Sequence, residues 1–221
     1  MKALLIVMCM ASAAMAETYP KMAKLSLYQM AKPDEIALAK SAAPASVAEH
    51  AEVLVLGAKG YETAVKGTNG FVCFVGRAWA VGFADPQFWN PKIRAPQCMN
   101  AVSARSVLPR YLTRTEYVLA GLAPAEIEKR EAAARAAGKL KAPEPEAMCF
   151  MLSKSAYLND TGGAWHPHVM FFTPRGELAR WGANLPGSPV MADHGSYEDT
   201  DIFFVVVANW SDGTPGPKMT D

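Results

Sequence analysis

Residues 52–75 read EVLVLGAKGYETAVKGTNGFVCFV, and the fold turns on this stretch. Residues 52–56 are a short β-type run, Gly57-Ala58-Lys59-Gly60 is a turn, and residues 61–66 are a second run carrying Tyr61, Thr63 and Val65. Asn69-Gly70 follows, and both residues tolerate the positive φ that a type I′ hairpin turn needs. Residues 71–75 are apolar at odd and even positions alike, the pattern of a strand covered on both faces. Residues 52–77 are therefore expected to form a three-stranded meander.

The segments before it read as helices. Pro33, Asp34 and Glu35 place a proline and two acids in a first helical turn, and Pro44 stops that helix. A second short helix is expected over 44–50. The segments after it are mixed. Residues 84–98 contain Pro86, Pro91 and Pro96 with Phe88 and Trp89, which predicts an ordered irregular loop pinned by its rings. Asn100 can cap a helix running to about Ala120, which Gly121 breaks. Pro124 opens another that ends at Gly138. Glu126 with Arg130 and Glu131 with Arg135 are i,i+4 pairs of favourable polarity, so this alanine- and charge-rich helix is expected to be an exposed arm.

Beyond Pro143 and Pro145, residues 147–152 are apolar and fit a strand or a helix equally well. Residues 165–172 and 202–208 read as strands, the second lying inside the sheet. The fold class is thus α+β: an antiparallel sheet of about five strands with helices packed on it, N-terminal helices coming before the meander.

The first residues carry a different signal. Lys2, an apolar run over 3–10 and a small-x-small ending at Ala14 and Ala16 make a secretory leader. The run is too short to span a bilayer, which takes about 20 apolar residues. Met8 before Cys9 argues against lipidation of that cysteine. The expected organisation is a signal peptide over 1–16, one α+β domain over 17–210 and a mobile tail over 211–221, exported to the periplasm or secreted, with no transmembrane segment after cleavage.

The whole chain holds 22 Lys+Arg against 21 Asp+Glu, and loss of Lys2 with the leader leaves them balanced. A neutral chain gives no electrostatic reason to bind nucleic acid. Arg105, Arg110 and Arg114 could line a helix face for an anion, although such arginines more often pair with acids on a neighbouring element.

Cys73, Cys98 and Cys149 remain after cleavage, so one disulfide leaves one thiol. Cys73 with Cys98 is the expected pair, tying a buried strand to the long loop, with Cys149 buried as a small apolar side chain. The competing reading keeps all three reduced.

Chemistry could sit at Trp165-His166-Pro167-His168-Val169-Met170. On a strand His166, His168 and Met170 share a face, and two imidazoles two apart can reach one ion. Imidazole suits zinc or copper, and the thioether leans towards copper. His194, Asp193 or His50 could supply a third ligand, and Pro167 favours an edge strand or bulge. Zinc or copper is therefore the candidate cofactor.

Serine and cysteine nucleophiles are poorly supported. Ser188 lacks a G-x-S-x-G elbow, Ser153-Lys154 lacks S-x-x-K spacing, and nothing local lowers a thiol pKa. There is no G-x-G-x-x-G, P-loop, H-E-x-x-H, EF-hand loop or C-x-x-C. Trp79, Trp89, Trp165 and Trp181, if clustered, would line an apolar ligand pocket. Two functional readings follow. One is an exported module binding a small molecule or an envelope protein. The other is a metal-dependent enzyme or metal carrier using His166 and His168.

Overall fold

Val53, Leu54, Val55 and Leu56 are all buried, so the strand they form has to be covered on both faces. The structure, a computed structural model, describes residues 18–160, 166–193 and 199–218. The expected signal peptide and the residues Trp165 and His194 lie outside that description.

The strands are β1 (Glu52–Leu56), β2 (Tyr61–Val65), β3 (Val72–Gly76), β4 (Ala95–Met99), β5 (Met148–Met151), β6 (His168–Pro174), β7 (Val190–Asp193) and β8 (Thr200–Val206). Among the described residues they form one eight-stranded sheet in the order β2-β1-β3-β4-β5-β6-β8-β7. The helices are α1 (Lys32–Lys40), α2 (Ala45–Ala48), α3 (Ala101–Ser106), α4 (Leu108–Leu119) and α5 (Pro124–Ala136). About 28% of the chain is helical and 24% is strand, so the class is α+β. The sheet itself corrects the expectation of about five antiparallel strands: it has eight, and it is mixed, because β1 pairs parallel with β3.

That parallel pairing also overturns the meander. β1 and β2 form the expected antiparallel hairpin, but β3 lies on the far side of β1. Strand chemistry explains the order. β2 exposes Glu62 and Thr63, and a meander would place this most polar strand in the middle. At the edge its charge faces water, and the apolar β1 takes the interior. Residues 66–71 then cross beneath the start of β1, where a Cβ on Gly67 would lie 2.1 Å from the Glu52 nitrogen. Asn69-Gly70 serves this crossing instead of a hairpin. The Asn69 side chain accepts from Phe71 N at 3.0 Å and donates to Val47 O at 2.8 Å, and Gly70 has φ +79°. Gly67→Ala is expected to cost about 3 kcal/mol, because the neighbouring atoms are backbone and cannot rotate away. The midpoint of urea unfolding measures it, and a loss under about 1 kcal/mol would contradict the crossing geometry.

Four further corrections have local causes. Residues 95–99, expected to end a loop, are β4, and Cys98 is therefore a strand residue. Cys73 and Cys98 face each other in the ladder and are bonded at 2.05 Å. A bonded cross-strand pair with Cα atoms 3.9 Å apart is of the non-hydrogen-bonded kind. Pro96, two residues away, shares that orientation, so its missing N–H faces away from β3. On that side β5 pairs only with Cys98 and Met99, and no ladder bond is lost.

The helix expected over 100–120 is split at Val107, because Pro109 removes a donor and crowds the preceding turn. Asn100 does cap it, accepting from Ser103 N at 2.8 Å. α5 is not an exposed arm: Ile127 and Glu131 are fully buried, and Glu131 bonds Arg114 of α4 through both oxygens at 2.6 Å rather than pairing with Arg135. β7 was not anticipated. It has four residues, of which only Val190 is β-branched, and the Asn184 side chain pairs with Ala192 N and O at its open edge.

Alternation divides the core between the two faces. Leu54, Phe74, Met99, Cys149, Met170 and Phe172 pack against Leu108 and Tyr111 of α4 on one face. Val53, Cys73, Val75 and Cys98 pack under the alanines of α1 and α2 on the other. A third cluster of Tyr28, Leu56, Trp79, Phe88, Val118 and Ile127 closes the β1 end of the molecule. Residues 208–216 turn back on the chain through bonds from Ser211 N to Leu152 O and from Gly216 N to Ala208 O.

Candidate functional site

Among the described residues the tryptophans do not cluster. Trp79 is buried at the sheet end, its indole N–H donating to Thr115 Oγ1 at 2.9 Å and its ring 5.0 Å from that of Tyr28. Trp181 is 43% exposed and stacks on Phe203 of β8 at 4.6 Å, at the other end of the sheet. Trp89 lines a cavity.

Among the described residues the histidines share no open site either. Pro167 precedes β6, and β6 runs between β5 and β8 rather than at an edge. His168 and Met170 do fall on one face, as alternation requires, but it is the core face. Met170 packs in the main core, and the His168 ring meets Phe204 edge-on at 5.4 Å. His168 Nδ1 lies 3.0 Å from the His166 carbonyl oxygen. Burial disfavours the imidazolium and holds the His168 pKa below its ordinary value. Asp193 is exposed on β7. Among the described residues no group of three or more His, Cys, Asp or Glu side chains is placed to hold a metal ion. Cys149 is buried, and that burial pushes its thiol far above the range of a nucleophile.

The cavity lined by Trp89 lies where residues 20–22 pass between the Trp89 loop and the turn joining α4 to α5. It measures about 360 Å³ and is walled by Pro20, Met22, Trp89, Val118, Leu122 and Pro124, with exposed Lys21 at its mouth. Each wall has a local cause. Gly121 ends α4 with φ +78°, its N–H donating to Val118 O at 2.9 Å, and this turn directs Leu122 to the cavity. Pro124 starts α5, where its missing donor costs nothing. Trp89 meets Phe88 edge-on at 4.6 Å, and Phe88 is anchored in the cluster beneath.

Buried charge fixes the floor. Arg77 is fully buried and reaches Glu35 Oε1 at 2.6 Å and Tyr28 O at 2.7 Å. Tyr28 Oη in turn donates to Trp89 O at 2.7 Å and accepts from Ala23 N at 3.2 Å. An ion pair in the interior thus sets the position of two cavity walls. Arg94 adds a tie from Leu27 O at 3.1 Å to Pro91 O at 2.8 Å; burial, then the nearby Arg77 charge, bring its pKa down to about 10, so it stays protonated at neutral pH.

Next to the cavity in sequence lies a second polar group. Tyr19 Oη donates to Asp160 Oδ2 at 2.5 Å, Tyr157 Oη donates to the other oxygen, and Lys92 Nζ stands 3.6 Å from that same oxygen. Hydrogen bonds from Tyr157 and then Tyr19 hold the Asp160 carboxyl below its usual pKa range. The sequence reading named Trp89 but missed Tyr19, Met22, Leu122 and Asp160. The Tyr19-Pro20 pair and a Gly121-Leu122-Ala123-Pro124 turn were the available signals.

Comparison with known protein families, with characterised proteins and with solved structures finds no match. Among the described residues no helix is long and apolar enough to cross a membrane.

Proposed function

We propose that the chain is an exported module that binds a small apolar molecule in the groove between residues 20–22, Trp89 and the α4–α5 turn. The observation that carries this reading is the groove itself. Its 360 Å³ falls within the range of about 300–1,000 Å³ typical of small-molecule sites, and its walls are aliphatic or aromatic with one cation at the mouth. Lys21 favours a ligand with an anionic or strongly polar end. The buried Cys73–Cys98 disulfide suits an oxidising compartment and supports export.

The test uses N-phenyl-1-naphthylamine, an apolar fluorophore, with protein lacking residues 1–16. Saturable binding near 10 μM is expected, a value on the order of what a small apolar contact surface provides. Trp89→Ala should weaken it about tenfold by removing buried aromatic area. Trp181→Ala, on the exposed ring at the far end of the sheet, should leave it unchanged. Absence of saturation, or equal loss in both variants, would refute the groove as the site.

A further inference from the structure

We propose that residues 18–23 are a strap that gates the groove, closed at one end by the Tyr19–Asp160 hydrogen bond. This rests on the groove being the binding site. The argument starts from what holds the strap. Among the described residues no backbone–backbone hydrogen bond ties residues 20–22 to the rest of the fold. The first regular element among the described residues is the short 3₁₀ turn Leu25–Leu27. Yet Pro20, Lys21 and Met22 form one entire wall of the cavity.

Two side-chain clamps bracket that wall. At the outer end Tyr19 donates to Asp160 at 2.5 Å, and Lys92 lies both 3.6 Å from Asp160 and 5.9 Å from the centre of the Tyr19 ring. At the inner end Ala23 N donates to Tyr28 Oη, which is fixed to Trp89 O. The clamps differ in strength of anchorage. Tyr28 is fully buried and its own carbonyl is held by Arg77, whereas Tyr19 is half-buried and bonds a carboxylate near the surface. A segment without backbone bonds of its own opens at the weaker clamp. Release of Tyr19 swings Pro20, Lys21 and Met22 away as a unit and unroofs the cavity. The inner clamp stays shut and serves as the hinge.

Tyr157 and Lys92 also hold Asp160, so the carboxylate remains in place while the strap leaves. The acceptor is fixed and the donor moves, as a reversible latch requires.

Tyr19→Phe removes the hydrogen bond and keeps the ring. A phenol bond to a carboxylate is worth roughly tenfold or more in an opening equilibrium. Trypsin cleavage after Lys21, which requires the strap to leave the groove, should therefore quicken about tenfold, with the unfolding midpoint essentially unmoved. Stopped-flow association and dissociation of N-phenyl-1-naphthylamine should both quicken about tenfold, while Kd moves less than about threefold, because a gate changes passage in both directions. Asp160→Asn, which removes the charged acceptor, should act in the same sense. Unchanged cleavage rates in both variants would overturn the latch. Faster cleavage with unchanged fluorophore rates would overturn the gate. Failure of the unaltered protein to bind the fluorophore is a separate result: it removes the groove reading and the gate resting on it, while the cleavage data still judge the latch.

Discussion

Glu35→Ala is expected to be the most damaging single substitution, with a loss of about 3–5 kcal/mol in unfolding free energy. Glu35 and Arg77 are both about fully buried, and their 2.6 Å contact links α1 to the end of β3. Removing the carboxylate strands the guanidinium in the interior with only carbonyl acceptors, those of Tyr28 and Val75. It also leaves Leu56 N without the Glu35 oxygen that it reaches at 3.1 Å. The cost is therefore dominated by an uncompensated buried charge rather than by the attraction of the pair. A second variant separates these contributions. Replacing both residues, Glu35→Leu with Arg77→Met, should recover much of the loss, since an apolar pair strands no charge. If the single variant unfolded within about 1 kcal/mol of the parent, the interior placement of this pair would be wrong. Because Arg77 also holds Tyr28 O, Glu35→Ala should weaken fluorophore binding in the groove as well, through the two hydrogen bonds that join Arg77 to Tyr28 and Tyr28 to Trp89.

The elements that could be read from sequence are those whose burial is written in their own residues. β3 and β8 are apolar on both faces, and both lie inside the sheet. Asn100 announced a helix start that its side chain does cap. What was not legible depends on partners distant in the chain. Pro96 argues against a strand until β5 is known to end beside it. Glu131 has an attractive neighbour four residues on, but a deeper partner, Arg114, lies on another helix and takes it into the interior. Asn69-Gly70 fits a hairpin by its backbone preferences; the order of strands is decided instead by which of β1 and β2 can tolerate water.

The site divides in the same way. Trp89 stood out by its proline-rich setting, and it lines the groove without Trp79 or Trp181 beside it. Trp79 and Trp181 have similar local sequences and quite different surroundings, one in the interior and one exposed. Tyr19 and Asp160 are 141 residues apart and belong to no motif. The His166–Pro167–His168 segment had the strongest chemical grammar, but strand alternation that puts His168 and Met170 together also turns both towards the core.

Loss of the Cys73–Cys98 disulfide is expected to cost about 3 kcal/mol, the second large effect. The two cysteines are 25 residues apart, and closing a loop of that length restricts the unfolded chain by about that amount. The loop it closes contains Trp89, one wall of the groove, and Arg77, which holds Tyr28 beneath it, so the bond constrains a segment on which the proposed site depends. Both sulfurs are fully buried on the face covered by α1, which keeps reductant away from the folded protein. The paired substitution Cys73→Ala with Cys98→Ala measures the effect cleanly, since a single substitution would leave a second free thiol beside Cys149. Denaturant unfolding of the double variant should show the loss, and the parent unfolded in reductant should match it. A difference below about 1 kcal/mol would mean that packing under α1 already confines these strands. With the loss as large as expected, a substantial part of the roughly 5–15 kcal/mol by which a folded domain is typically stable depends here on conditions in which the disulfide forms.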